Sequence, residues 1–147
     1  MQLKENYKIL SFLLILLSTS SFFLGFYLDE NSAGGGSYVG DWVFLWPNLK
    51  LFIDNDLYTA ITHENFLTNR SPLLYMLHAS LNPFVDNATA YRRSVFVISL
   101  IVPILFYFCL KQKFKKENNL TLLLIASTVF LSPYYRTSAY WGLEENY

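Results

Sequence analysis

ILSFLLILLSTSSFFLGFYL, Ile9 to Leu28, runs directly into Asp29-Glu30, and the reading of this stretch decides the fold. Its 20 residues carry no charge, and at about 1.5 Å of rise per residue a helix of that length crosses a hydrocarbon core of roughly 30 Å. The two carboxylates then stand at the water line, followed by Gly34-Gly35-Gly36. Acids are costly near hydrocarbon, so an adjacent pair beside permissive backbone reads as a site working at a membrane surface. The plain alternative is that the pair ends the span and hydrates the interface. A cleaved signal peptide is the rival for the whole segment, because Lys4 and Lys8 precede the apolar core and Ser18-Thr19-Ser20 has the small residues of a cleavage site. The run continues through Phe22-Phe23-Leu24-Gly25-Phe26-Tyr27-Leu28, which a cleaved signal does not need, so an uncleaved anchor is expected.

Outward from that anchor, the chain remains membrane-like. Hydrophobic residues make up 53 % of it and aromatic residues 18 %, more than a small soluble core needs. A net charge of zero gives no global field for nucleic acid or acidic substrates. The one cysteine, Cys109, lies in an apolar run, so no intrachain disulfide forms. Ser94 to Leu110 is a second apolar run, with Pro103 inside it; a helix tolerates such a proline when a neighbour satisfies the freed carbonyl. Leu120 to Leu131 is shorter and reaches membrane length only when Ser132-Pro133-Tyr134-Tyr135 are counted.

Charge distribution favours spanning for this third run as well. Lys4 and Lys8 flank the first run, and Lys111, Lys113, Lys115 and Lys116 crowd the turn between the second and third. The segment from Asp29 to Tyr91 carries seven acids against Lys50 and Arg70. Basic residues mark the cytoplasmic side, which sets the expected topology. The chain reads as an all-α, polytopic, single membrane domain, 1–147, with spans at 9–28, 94–110 and 118–133. Residues 29–93 form an outer loop, 111–117 a cytoplasmic turn and 134–147 an outer tail, with the N-terminus inside. Arg92 and Arg93, at the outer end of the second span, are expected to snorkel to lipid phosphates.

The outer loop carries helical signals. Trp42, Leu45, Trp46, Leu49, Phe52 and Ile53 form an apolar stripe suited to the headgroup layer, interrupted by Pro47, which either kinks that helix or opens a second one. Ser71-Pro72 opens another helix, with Leu73, Leu74, Leu77 and Leu81 as its apolar face and Asn82-Pro83 as its stop. Two juxtamembrane helices lying along the outer surface are therefore expected. His63 and His78 are not at metal-ligand spacing and read as ordinary surface or interface residues. Asn69-Arg70-Ser71 and Asn87-Ala88-Thr89 match the glycosylation pattern, of use only in a eukaryotic lumen. No Walker loop, dinucleotide fingerprint, nucleophile elbow or Cys/His metal pattern occurs.

The order of these parts resembles the GT-C-fold membrane glycosyltransferases, most closely their protein O-mannosyltransferase and aminoarabinose-transferase branch. Leu28-Asp29-Glu30, Ser71-Pro72-Leu73-Leu74-Tyr75, Tyr91-Arg92, Leu131-Ser132-Pro133 and Tyr135-Arg136 carry the resemblance. It covers the whole chain but only the opening part of such an enzyme, so an N-terminal piece of a longer protein is expected. The resemblance implies transfer of a sugar from a polyprenyl-phosphate carrier to an acceptor at the outer face, with inversion, in a bacterial inner membrane. It implies Asp29 as general base with Glu30 as its neighbour. A carboxylate within hydrogen-bonding reach can take the acceptor hydroxyl's proton during attack on the anomeric carbon. Arg136 is the candidate for binding the donor phosphate, since guanidinium offers phosphate a planar fork of donors. Glu144 and Glu145 are candidate ligands for a divalent metal ion, although Glu144-Glu145-Asn146 departs from the small-residue setting of the family's second-loop acid.

Two other classes compete. A transporter would place ionisable residues within its spans, and none lies in the three runs. A structural or assembly membrane protein would need no acid pair at the end of a span.

Overall fold

The computed structural model describes residues 2–31, 41–68 and 71–143, with side chains from residue 5 onward. All regular elements among them are helical. α1 is Gln2–Tyr27, α2 Val43–Asp54, α3 Leu57–Thr62, α4 Leu73–Leu81, α5 Ala88–Ser99, α6 Ile101–Lys113, α7 Asn119–Ser127 and α8 Pro133–Trp141, with a 3₁₀ turn at Thr128–Leu131 joining the last two.

Two helical stretches, Glu5–Tyr27 and Ala88–Lys113, are long and apolar enough to cross a membrane. Asn119–Leu131 is apolar but shorter. Much of their apolar surface is left uncovered: Leu13, Leu17 and Leu24 on α1, Val97 on α5, and Ile104, Leu105 and Phe108 on α6 are all exposed. α7 packs beside both α1 and α6. A hydrogen bond of 2.8 Å between Tyr7 Oη and Thr121 Oγ1 ties the start of α1 to the start of α7. The end of α1, the start of α5 and α8 meet at the opposite end of the bundle, so the lysine-bearing turn and Asp29-Glu30 stand at opposite ends.

The core lies near that acidic end and is aromatic. Phe22 is fully buried, with ring centroids of Phe130 at 4.7 Å, Phe96 at 5.1 Å, Tyr140 at 5.2 Å and Tyr135 at 5.5 Å. α8 supplies two of these rings. The segment expected as an outer tail therefore holds the most enclosed helix among the described residues, with every residue from Tyr135 to Trp141 buried. Ser132 caps it by accepting from Tyr135 N–H, and Pro133 begins it where a missing N–H costs nothing. Gly142, at φ 67°, ends it where a side chain would be strained and would collide with the Tyr91 ring.

The proline in the second long stretch is accommodated by α8. Pro103 has no N–H to give the Ser99 carbonyl, and the helix breaks at Leu100, between α5 and α6. Tyr135 Oη donates to Ser99 O at 2.6 Å and fills the vacated bond.

The apolar stripe of the outer loop is turned differently from expectation. Pro47 lies inside α2 and does not open a second helix. Leu45, Leu49 and Phe52 are buried, and α2 packs on α4, with Phe52 stacked on Tyr75 at 5.6 Å. The stripe faces protein because Tyr75 and Tyr91 present it with complementary rings. α4 begins and ends where expected, with Ser71 Oγ accepting from Leu73 N–H and Asn82 closing it. α3, unforeseen, is capped by Asp56, which accepts from the N–H groups of Tyr58 and Thr59. Asn87, the described glycosylation candidate, caps α5 through Ala90 N–H.

Removing the Tyr135 hydroxyl should leave Ser99 O buried and unpaired. Tyr135→Phe is expected to destabilise the fold by about 1–3 kcal/mol. Reversible unfolding in mixed micelles measures this, and restoring the N–H donor through Pro103→Ala should suppress most of the loss.

Candidate functional site

α1 ends in a turn that sends Asp29 and Glu30 in opposite directions. Asp29 N–H bonds Phe26 O at 3.3 Å and Glu30 N–H reaches back to Gly25 O at 2.9 Å. This helix ending needs a left-handed residue, and Asp29 supplies it at φ 51°. Glycine is usual there; aspartate is one of the few side chains that tolerate the conformation.

Glu30 turns inward onto α8. Its Oε1 accepts from Arg136 Nε at 2.8 Å and its Oε2 from Arg136 Nη2. Arg136 Nη1 donates to Ser21 Oγ and Phe130 O, both at 3.0 Å, and Nη2 also donates to Ser21 O at 3.1 Å. The five N–H groups of a guanidinium thus have five acceptors. The pairing with Glu30 outweighs burial and pushes the Arg136 pKa up, so the group stays charged. Trp141 Nε1–H donates to Glu30 O at 3.1 Å, and Tyr140 Oη to Phe22 O at 2.6 Å. Burial raises the Tyr140 pKa and keeps that hydroxyl a donor. Gly25 makes the approach possible: a methyl there would stand 2.6 Å from Tyr140 Oη and 2.7 Å from Arg136 Nη2.

Asp29 faces outward, with its side chain 65 % exposed against 9 % for Arg136. Its Oδ1 accepts from Arg92 Nη2 at 2.8 Å. Arg92 is fixed in turn: Nε donates to Tyr140 O at 2.8 Å, and the guanidinium stacks 3.9 Å over the Trp141 ring. The snorkelling expected of Arg92 gives way to this fixation, because the acid and the indole offer it better partners than water. Beside it, Trp42 stacks near Trp46 at 5.9 Å, Tyr91 at 6.1 Å and Trp141 at 6.4 Å, giving an aromatic wall. The arrangement offers a carboxylate held by one oxygen with the other open, and a guanidinium whose Nη1 is uncommitted among the described residues.

The two acids and the two arginines thus gather at one end, but in separate pairs, and Arg136 has no donor to spare. Glu144 and Glu145, and the glycines at 34–36, lie outside the described residues. Among the described residues, no group of three or more His, Cys, Asp or Glu side chains could hold a metal ion. Sequence reasoning missed Arg92 as the partner of Asp29. The available signal was charge balance, since Arg92 and Arg136 fall on the same expected side as the two adjacent acids. His78, expected as an ordinary interface residue, is buried edge-on against Tyr91 at 5.1 Å.

Compared with protein-family models, curated proteins and solved structures, the chain matches none.

Two outcomes follow from these contacts. Glu30→Gln leaves a buried guanidinium uncompensated and is expected to cost about 3–5 kcal/mol, whereas the double change Glu30→Gln with Arg136→Met should recover most of it. A double-mutant cycle of unfolding free energies tests this. Burial holds the His78 pKa below 6.5, so the unfolded chain takes up its proton first. Stability should be level at about pH 7.5 and decline towards about pH 5.5, and His78→Gln should flatten that slope in thermal melts.

Proposed function

We propose that this chain lies in a membrane with three spans, its lysine-bearing turn inside, and serves there as one part of a glycosyltransferase that uses a polyprenyl-phosphate-linked sugar. The observation that carries the reading is the division of labour between adjacent acids: Glu30 is sealed against Arg136, while Asp29 stands open beside Arg92. A helix end needs no second carboxylate, yet this one stands exposed beside a fixed guanidinium.

In the proposed reaction the acceptor hydroxyl oxygen attacks the anomeric carbon as its proton passes to the free oxygen of Asp29. The bond from that carbon to the phosphate oxygen breaks, and the electron pair leaves with the polyprenyl phosphate. Arg92, 2.8 Å from Asp29 and with donors to spare, is better disposed than Arg136 to meet the charge on the leaving phosphate. Arg136 becomes a positioning residue that holds α8, and with it the Tyr140 carbonyl and Trp141 ring that orient Arg92. The aromatic wall of Trp42 and Trp141 gives the apolar face of a sugar ring a surface to rest on. The uncovered apolar surface of α1 and α6 supports placement in lipid.

A non-catalytic assembly role is the competing reading, favoured by the complete engagement of Arg136 within the chain. The Asp29 side chain separates the two. Asp29→Asn and Asp29→Gly both suit a left-handed residue, so each should fold within about 1 kcal/mol of wild type. In membranes that carry the complete enzyme and are given radiolabelled mannosyl- and aminoarabinosyl-phosphoryl polyprenol, both should lower transfer to endogenous acceptors by roughly 10²–10⁴-fold. Unaltered transfer by the folded variants removes the proposed base. Cysteines at Ser32 and Lys113 report sidedness: an impermeant thiol reagent applied to intact cells should label Ser32→Cys and spare Lys113→Cys.

A further inference from the structure

α4 and α5 enclose a second feature that the proposed chemistry does not use. Between them lies a cleft of about 830 Å³, within the roughly 300–1,000 Å³ typical of sites that enclose one ligand. Leu74, Leu77, Leu81 and Phe84 form one wall, and Val97 and Ile98 the other. Its polar groups are few and mostly self-satisfied. Asn82 Nδ2 donates to Ser94 Oγ at 2.8 Å, Ser94 Oγ donates to Tyr91 O at 2.8 Å, and Asn82 Oδ1 accepts from Phe84 N–H. His78 Nδ1 lies 3.2 Å from Asn82 Nδ2.

Arg93 is different. It lines the cleft, is exposed, and has no hydrogen-bond or ion-pair partner among the described residues. Arg92, its neighbour, is turned to Asp29 and the Tyr140 carbonyl, so the two arginines do different work. No carboxylate lines the cleft to compete for Arg93.

The order of groups along α5 gives the ligand its polarity. Arg93 falls in the second turn of the long apolar stretch that starts at Ala88, and Val97 follows one turn deeper, about 6 Å along the axis. A cation at the end of a span and an apolar slot leading inward from it match a phosphate with an acyl chain below. α4 is nine residues long, about 14 Å, a wall of the length of one acyl chain and much shorter than a polyprenyl tail. We propose that this cleft is a binding site for an anionic glycerophospholipid, with its phosphate on the Arg93 guanidinium and one acyl chain along Leu77, Leu81 and Val97. Guanidinium is the side chain best shaped to meet a phosphate bidentately. The site rests on the membrane placement proposed above, but not on sugar transfer.

Native mass spectrometry of the purified chain, loaded with phosphatidylglycerol or phosphatidylcholine of matched acyl chains, tests it. Wild type should retain phosphatidylglycerol at least about fivefold better than phosphatidylcholine, whose phosphate is already offset by its own choline cation, and Arg93→Gln should remove that preference by deleting the charge that reads the difference. Val97→Trp, which fills the slot, should lower retention of both lipids. Leu81→Trp, on the exposed wall, repeats that test should Val97→Trp fail to fold. Equal retention of the two lipids by wild type, or a preference unaffected by Arg93→Gln, overturns the proposal. Displacement of phosphatidylglycerol by equimolar polyprenyl phosphate also overturns it, by assigning the cleft to the sugar carrier. Release of the chain from membranes by alkaline carbonate would defeat it together with the membrane placement, whereas unaltered transfer in Asp29→Asn, with the lipid preference of Arg93 intact, would defeat the sugar-transfer reading and support the lipid site.

Discussion

The ion pair between Glu30 and Arg136 is the constraint on which the remaining geometry depends. It joins residues far apart in sequence at the one place where α1, the 3₁₀ turn and α8 converge. A buried guanidinium is tolerable only when its donors are satisfied, and here the acceptors come from a side chain, a serine hydroxyl and two carbonyls. The net stabilisation from such a pair is small, because desolvation offsets much of the attraction. Its larger effect is on specificity: Arg136 meets its five acceptors on α1, the turn after it and the 3₁₀ segment at once, which fixes α8 against all of them. With α8 in place, Tyr135 reaches Ser99, Tyr140 reaches Phe22, and the Trp141 ring lies under Arg92.

Much of the architecture could be read from the residues. The apolar runs are helices, the helix opened by Ser71-Pro72 stops at Asn82, and Pro103 is accommodated by a neighbour's donor. Identifying that donor was beyond reach, since nothing local marks Tyr135 as the group that meets Ser99. The burial of α8 was equally hidden. Residues such as Thr137 and Ser138 look like those of an exposed tail, yet both are buried, and Thr137 Oγ1 is satisfied within the helix by donating to Pro133 O. The stripe beginning at Trp42 had the right period, but period alone does not say whether lipid or protein covers a face.

The acid pair shows the limit most clearly. Two adjacent carboxylates look equivalent in a sequence, yet one is enclosed and the other open. What separates them is the left-handed backbone at Asp29, a conformation normally signalled by glycine and therefore not legible from an aspartate. The same turn removes Arg136 from the set of free cations and leaves Arg92 as the guanidinium beside the exposed acid.

Gly25 has a mechanical consequence. With no side chain at the closest approach, α1 presses its backbone directly against the Glu30 carboxylate, the Tyr140 hydroxyl and the Arg136 fork. Two elements keyed this tightly cannot rotate or slide past each other without unseating all three groups, and packed interfaces of this kind rearrange in discrete jumps. α1 and α8 therefore behave as one rigid strut. The rings of Trp46 on α2 and His78 on α4 rest on Tyr91, outside that strut.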